Sequence, residues 1–367
     1  MSAEFAESEV MLMVWKRTAP RRGLIGAAPP ASAQILFCGF RKQRNKETAI
    51  IVDYGPLQDK LRALAREKNA LVIAHNYQRP EVQDAADFTG DSLELSRTAA
   101  GTDADIILFC GVHFMAETAH ILSPDKKVLL ADINAGCPMA DMITAEDLRT
   151  LKAEHPGALV VAYVNTSAAV KAETDICCTS ANAATVVSNL PADREIIFVP
   201  DRNLALYVEK KTGRQLIKWQ GYCPTHEYIT AEVVLKAKNE HPDALLIAHP
   251  ECLPEVQDLA DSLESTSGMI RYARESNAKE FIIATEMGLN YRLKNENPGK
   301  EFYSPTKKAI CPNMKMTTLK KEYDPLTLGR YESKADQANR GRARAHAERM
   351  DYSPWSPQRQ STSSPPE

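Results

Sequence analysis

The chain has 367 residues, a formal net charge of −3, 44% hydrophobic and 25% charged residues, a globular composition long enough for two or three domains with real cores. Its near-neutral balance lacks the long-range field of a dedicated nucleic-acid binder, and no run of eighteen apolar residues is present to span a membrane. Eight cysteines in this length are too sparse for a disulfide scaffold and read as reduced thiols of a cytoplasmic protein, some of them available to a metal.

Residues 10–46 carry eight Lys or Arg and no Asp or Glu. Arg21-Arg22 ahead of Gly23 to Gly26 resembles a twin-arginine export signal, but Pro29-Pro30 cuts the apolar run short. Residues 1–46 are therefore expected to be a disordered or non-native arm. A helical pattern at 61–68 then leads into an apolar strand at 70–75, a helix at 80–86, a short strand at 87–90 and a helix from Leu93. A strand at 106–109, another helix and a strand at 128–131 run into Cys137-Pro138. The same order follows twice. Residues 148–155 lead into the strand 158–163, the apolar run 196–199 and Cys223-Pro224; residues 234–241 lead into 244–249, the run 281–284 and Cys311-Pro312. Residues 334–350 read as a polar, Arg- and Ala-rich helix, and 351–367 as a Ser/Pro/Gln tail that cannot repay its ordering entropy. Neither end is assigned a catalytic role.

The three copies keep their spacing. Twelve residues past the ends of the first strands, at His75, Tyr163 and His249, stand Asp87, Asp175 and Asp261. Seventeen residues past them stand Ser92, Ser180 and Thr266, and 60 to 62 past them the three Cys-Pro pairs. Pro80-Glu81-Val82-Gln83-Asp84 recurs as Pro254-Glu255-Val256-Gln257-Asp258. Matched landmarks at a fixed period define homologous units, here 56–142, 143–228 and 229–320, with the helix and tail of 334–367 beyond them. Alternating strands and amphipathic helices predict α/β architecture: three homologous three-layer αβα units, each with a mainly parallel four-stranded sheet, around a pseudo-threefold axis. Ligands gather beyond the carboxyl ends of strands in such sheets, and every residue of chemical interest sits there.

Packing the units around one axis would bring Cys137, Cys223 and Cys311 together. A structural zinc site wants four closed ligands, often with a short Cys-x-x-Cys; only three thiols recur here, without such a pair. Thiolate ligation from distant segments suits an iron–sulfur cluster, and three ligands on a four-iron cube leave one iron open as a Lewis acid. Of the remaining cysteines, Cys110 reads as core, Cys177-Cys178 as a poor chelate because neighbours on a strand face opposite ways, and Cys252 as close to the site. Ser92, Ser180 and Thr266 each precede a helical run, as N-caps do. Three helix starts facing one cavity would cradle carboxylates and a phosphate.

His75-Asn76-Tyr77, Tyr163-Val164-Asn165 and His249-Pro250-Glu251 are three versions of one post-strand position and supply acids and bases. His226-Glu227 is the weaker candidate, since it serves equally well to orient its loop. Asp87, Asp175 and Asp261, and His155 and His241 before prolines, read as structural.

These residues resemble the quinolinate synthase (NadA) family of bacterial and archaeal NAD biosynthesis. The resemblance runs from about Leu57 to Leu319, with both tails outside it. It is carried by Ala74-His75-Asn76-Tyr77, the Pro80 motif, Gly90-Asp91-Ser92, Phe114-Met115-Ala116-Glu117-Thr118, Tyr163-Val164-Asn165, Thr179-Ser180-Ala181-Asn182, His249-Pro250-Glu251-Cys252 and Ser265-Thr266 with Gly268-Met269. It implies a [4Fe–4S] cluster on Cys137, Cys223 and Cys311, and condensation of iminoaspartate with dihydroxyacetone phosphate to quinolinate, phosphate and two waters. It also implies a functional link to an aspartate oxidase or dehydrogenase. Carried over by position, Tyr77, Glu251, His249 and Tyr163 are the catalytic candidates; His75, Ser92, Tyr163, Asn165, Ser180, His249, Glu251 and Thr266 are the substrate-binding ones. Some members carry a Cys-x-x-Cys near the third ligand; Cys311 has no such partner, so no thiol switch of that kind is expected. The long arm departs from compact members. A non-catalytic scaffold holding zinc, and another cluster-assisted dehydration, are the competing readings.

Overall fold

The computed structural model describes residues 53–333 and 335–351; the arm expected at 1–46 and most of the tail expected at 351–367 lie outside them. Twelve strands form three sheets: β1 (Ala70–His75), β2 (Phe88–Gly90), β3 (Ile106–Cys110) and β4 (Lys127–Leu130); β5 (Leu159–Tyr163), β6 (Ile176–Cys178), β7 (Ile196–Val199) and β8 (Ile217–Lys218); β9 (Leu245–Ala248), β10 (Ser262–Leu263), β11 (Glu280–Ala284) and β12 (Glu301–Tyr303). Each sheet has the order second-first-third-fourth strand, and all pairings are parallel. The fold is three α/β units, as the repeat predicts.

Continuous apolar strands are what a sheet buried on both faces requires. Alternate residues divide between two cores because strand side chains alternate faces. Ile73, Val161 and Ile247 enter one inner core shared by the three sheets. Val72 and Ala74, Val160 and Ala162, and Leu246 and Ala248 enter three separate outer cores.

The recurring aspartates are clamps. The Oδ2 atoms of Asp87, Asp175 and Asp261 accept the N–H groups of Val72, Val160 and Leu246 at 2.8, 2.8 and 2.7 Å, while each aspartate N–H returns to the same residue's carbonyl. The edge strands β2, β6 and β10 start from that double bond. The repeated glutamine has an equally local task. Gln83 Nε2 donates to the carbonyls of Asn76 and Gln78 at 3.1 and 2.9 Å, and Gln257 Nε2 to those of Pro250 and Cys252 at 2.9 Å each. Both brace the loop that leaves the first strand.

Each Cys-Pro is followed seven residues later by a helix-capping threonine. Thr144, Thr230 and Thr318 cap the helices Ala145–Glu154, Ala231–Glu240 and Leu319–Leu328. The third of these closes the ring, because Leu319 and Leu326 bury against Val72, Leu108 and Leu129 of the first sheet and Leu61 of the helix Gly55–Glu67. The expected terminal helix is Gln337–Glu348. Ala343 and Ala347 pack it on Ile121, Ala168 and Ala172, so its small residues form a docking seam while its arginines stay at the surface. No helix among the described residues is long and apolar enough to cross a membrane.

Candidate active site

All twelve site residues named from the sequence line a single cavity of about 210 Å³. His75, Tyr77, Ser92 and Cys137 come from the first unit; Tyr163, Asn165, Ser180 and Cys223 from the second; His249, Glu251, Thr266 and Cys311 from the third. Cys252 does not line it: its thiol donates to the Ala284 carbonyl at 3.2 Å inside the third outer core. Cys110, Cys177 and Cys178 are likewise buried in strands.

The helix starts differ from expectation by one or two residues. Asp91, not Ser92, caps Ser92–Gly101, its Oδ1 accepting from Leu93 and Glu94 N–H at 3.0 Å each. Ser265, not Thr266, caps Thr266–Glu275 through Gly268 N–H. In the second unit the helix begins only at Ala183, with Asn182 Oδ1 accepting from Thr179 N–H at 2.7 Å. A carboxylate that can close a capping box displaces the serine next to it. The displaced Ser92 and Thr266 occupy the first helical position, whose own backbone N–H has no intrahelical partner. Asn76 Nδ2 donates to Thr266 Oγ1 at 2.8 Å, so the Thr266 hydroxyl keeps its hydrogen for a ligand.

A chain of close polar contacts crosses the cavity wall through residues of all three units. The Tyr77 phenol bonds Thr285 Oγ1, which lies 2.9 Å from His226 Nε2. His226 Nδ1 lies 2.9 Å from Glu251 Oε2, and Tyr163 donates to Glu251 Oε1 at 2.6 Å. His226, ranked low from the sequence, is therefore central. Thr285 was missed; its one signal was its place directly after β11, where the other units carry Gly111 and Pro200.

Burial sets the proton affinities. It holds His75 down to about 3, helped by His249 and Lys315 and opposed by Glu251. It holds His249 down to about 4, again opposed by Glu251. Both rings are neutral at pH 7, and their Nδ1 atoms accept the N–H groups of Tyr77 and Glu251 at 3.2 Å each. The proton of each ring therefore sits on Nε2. Burial, reinforced by Glu251, raises both Tyr77 and Tyr163 above the usual phenol range. Burial raises Glu251 as well, yet His226, His249 and the Tyr163 bond outweigh it and keep the carboxyl well below its ordinary value. Burial pushes the Cys137 thiol up to about 12 and raises Cys223 and Cys311. Such thiols stay protonated unless a metal displaces the proton. Cys223, His226 and Glu251 place their ligand atoms within 4.8 Å of one another, so this wall offers metal-binding chemistry.

A buried cavity with thiols and a phenol–hydroxyl–imidazole–carboxylate chain defines an acid–base enzyme with a metal-binding wall. Comparison with known proteins identifies which one. The family model described as NadA, quinolinate synthetase A protein, matches residues 59–351, and the chain belongs to that family. The match includes the C-terminal helix, correcting the expectation that the resemblance stops near Leu319. Among similar proteins, the quinolinate synthase of Geobacter metallireducens is 59% identical over 271 residues, covering 74% of this chain and 89% of that protein. Those of Methanoregula boonei and Thermodesulfovibrio yellowstonii are 56% and 54% identical, over 76% and 80% of this chain and 91% and 96% of theirs.

Proposed function

We propose that this chain condenses iminoaspartate with dihydroxyacetone phosphate to give quinolinate, phosphate and two waters, in de novo NAD biosynthesis, with a [4Fe–4S] cluster held by Cys137, Cys223 and Cys311. The observation that carries the reading is the convergence of three equivalent thiols and the Tyr77-to-Tyr163 chain on one cavity. The donor set fits the group: equivalent Cys-Pro positions supply three sulfurs, and backbone N–H groups of Met139 and Ala140, of His226, and of Asn313 and Met314 point at them. No fourth cysteine lines the cavity among the described residues. When bound, such a cluster supplies one iron without a protein ligand, a Lewis acid for a hydroxyl or carbonyl oxygen.

The chain's own residues bind and move protons. Ser92, Ser180 and Thr266, with first-turn N–H groups, hold carboxylate and phosphate oxygens. Asn165 Oδ1 is buried without a protein partner and accepts from the substrate nitrogen or a hydroxyl. Neutral His75 and His249 present Nε2–H as donors to substrate oxygens. Tyr77 exchanges its phenolic proton with substrate, and Thr285 passes the demand to His226, whose Nδ1 stands beside the Glu251 carboxylate. Tyr163 holds the other Glu251 oxygen and reports protonation changes to the opposite wall. The family resemblance implies a functional link to an aspartate oxidase or dehydrogenase that would supply the imine.

The test is the metal content, colour and turnover of anaerobically purified protein. About four irons and four sulfides per chain with brown absorbance are expected, and Cys137→Ser, Cys223→Ser or Cys311→Ser should each abolish the cluster and quinolinate formation. A colourless active protein, or one zinc without iron, refutes the proposal.

A further inference from the structure

We infer that Glu286, paired with Lys315, is a positioning residue that locks the third thiol and the Tyr77 loop into one rigid knot; the inference rests on the cluster reading above. Glu286 is wholly buried and lines the cavity, yet no step of the chemistry needs it. A carboxylate in that setting persists only if its charge and lone pairs are satisfied. Here they are. Oε1 accepts the Cys311 N–H at 3.1 Å and Oε2 the Gly288 N–H at 2.7 Å. Lys315 Nζ stands 3.0 Å from Oε1 and 3.1 Å from Oε2.

The same ammonium also donates to the Tyr77 carbonyl. The Lys315 carbonyl takes two bonds from Arg79, from Nε at 3.0 Å and Nη2 at 2.8 Å. Gln83 adds a bond to the Gly288 carbonyl at 3.1 Å. Three loops therefore meet: 75–79 with Tyr77, 285–288 with Thr285, and 311–315 with Cys311. Gly288 is required at the crossing, because a Cβ there would lie 2.6 Å from Lys315 Nζ, 2.7 Å from the Tyr77 carbonyl and 2.8 Å from Glu286 Oε2.

The knot is peculiar to the third unit. The equivalent position, two residues beyond the third strand of each sheet, is Val112 in the first unit and Asp201 in the second. Asp201 spends its carboxylate on capping the helix Arg202–Thr212. Cys311 thus depends on an anchor that Cys137 and Cys223 do not have. Glutamine cannot replace that anchor: its single carbonyl can take only one of the two N–H groups, and its amide would face another donor.

The test uses reconstituted full-length protein and follows iron per chain, the electron paramagnetic resonance spectrum of the reduced cluster, and the rate of iron loss to 2,2′-bipyridine. Outer partners of metal ligands change metal retention by about 10- to 100-fold, so E286Q is expected to lose iron at least about tenfold faster than wild type and to shift the spectrum. K315M, which strands a buried carboxylate, should be worse than E286Q/K315M, and K315R should recover part of the retention. A change confined to folding would alter the melting temperature without altering the spectrum. Wild-type iron retention and spectrum in E286Q, or equal behaviour of K315M and K315R, overturns the inference while leaving the cluster reading intact. A wild-type protein that takes up no iron overturns both. If E286Q fails to fold, the K315M and K315R pair decides.

Discussion

Thr285→Val removes one hydroxyl and almost no volume, and it cuts the proton chain at its middle. Tyr77 loses its partner, and His226 Nε2 loses a contact of 2.9 Å. Both groups are buried, so each unsatisfied atom costs about 1–3 kcal/mol of stability. The kinetic effect is expected to be larger. Positioned acid–base groups contribute about 10²- to 10⁴-fold, equivalent to about 2.7–5.5 kcal/mol of barrier. T285V should therefore load a full cluster, keep KM for the phosphorylated substrate within a small factor, and lose at least about a hundredfold in kcat. T285S, which restores the hydroxyl, should recover most of it. The assay is quinolinate formation under anaerobic saturating conditions, normalised to iron per chain. A T285V enzyme with full iron and near wild-type kcat refutes the relay.

Two further predictions concern pH. His75 and His249 have folded pKa values of about 3 and about 4, below the ordinary 6.5, so the unfolded chain binds protons that the folded one refuses. Stability is full above pH 6.5 and falls as pH drops toward those values; at pH 5 each ring costs about 2 kcal/mol relative to pH 8. Melting temperatures of wild type and H249N across that range test this, and equal slopes would contradict it. Glu322, in the ring-closing helix Leu319–Leu328, is wholly buried against Cys110, and burial lifts its carboxyl to about 8. The folded state then holds a proton that the unfolded state releases above pH 4.5, so stability falls from there up to pH 8. E322M should gain up to about 3 kcal/mol at pH 7, about 5 °C in a chain of this size, and nothing near pH 4. The same gain at both pH values would show that lost polarity, not ionisation, is the cause.

What the sequence determined by itself is everything that repeats within a unit. Spacings of 12, 17 and about 60 residues from each first strand placed the aspartate clamp, the helix start and the cysteine, because strand, turn and helix lengths set those positions locally. Apolar runs were enough to predict sheets buried on both faces, and the residues at the strand ends line one cavity. Local signals were weaker at the helix caps, where Asp91 takes the role expected of Ser92 by closing a capping box with Glu94, and Ser265 takes that of Thr266 through the Gly268 N–H. What only the tertiary structure decided is everything that joins one unit to another. Thr285 and His226 stand at regular places after β11 and Cys223, but nothing local pairs them, since their partners lie in other units and that distance is set by packing. The Glu286–Lys315 pair joins segments 29 residues apart to a tyrosine more than two hundred residues away, and no periodicity encodes that. The helix Leu319–Leu328 follows the third Cys-Pro as Ala145–Glu154 and Ala231–Glu240 follow the first two; it closes the ring because the first unit offers it an apolar face.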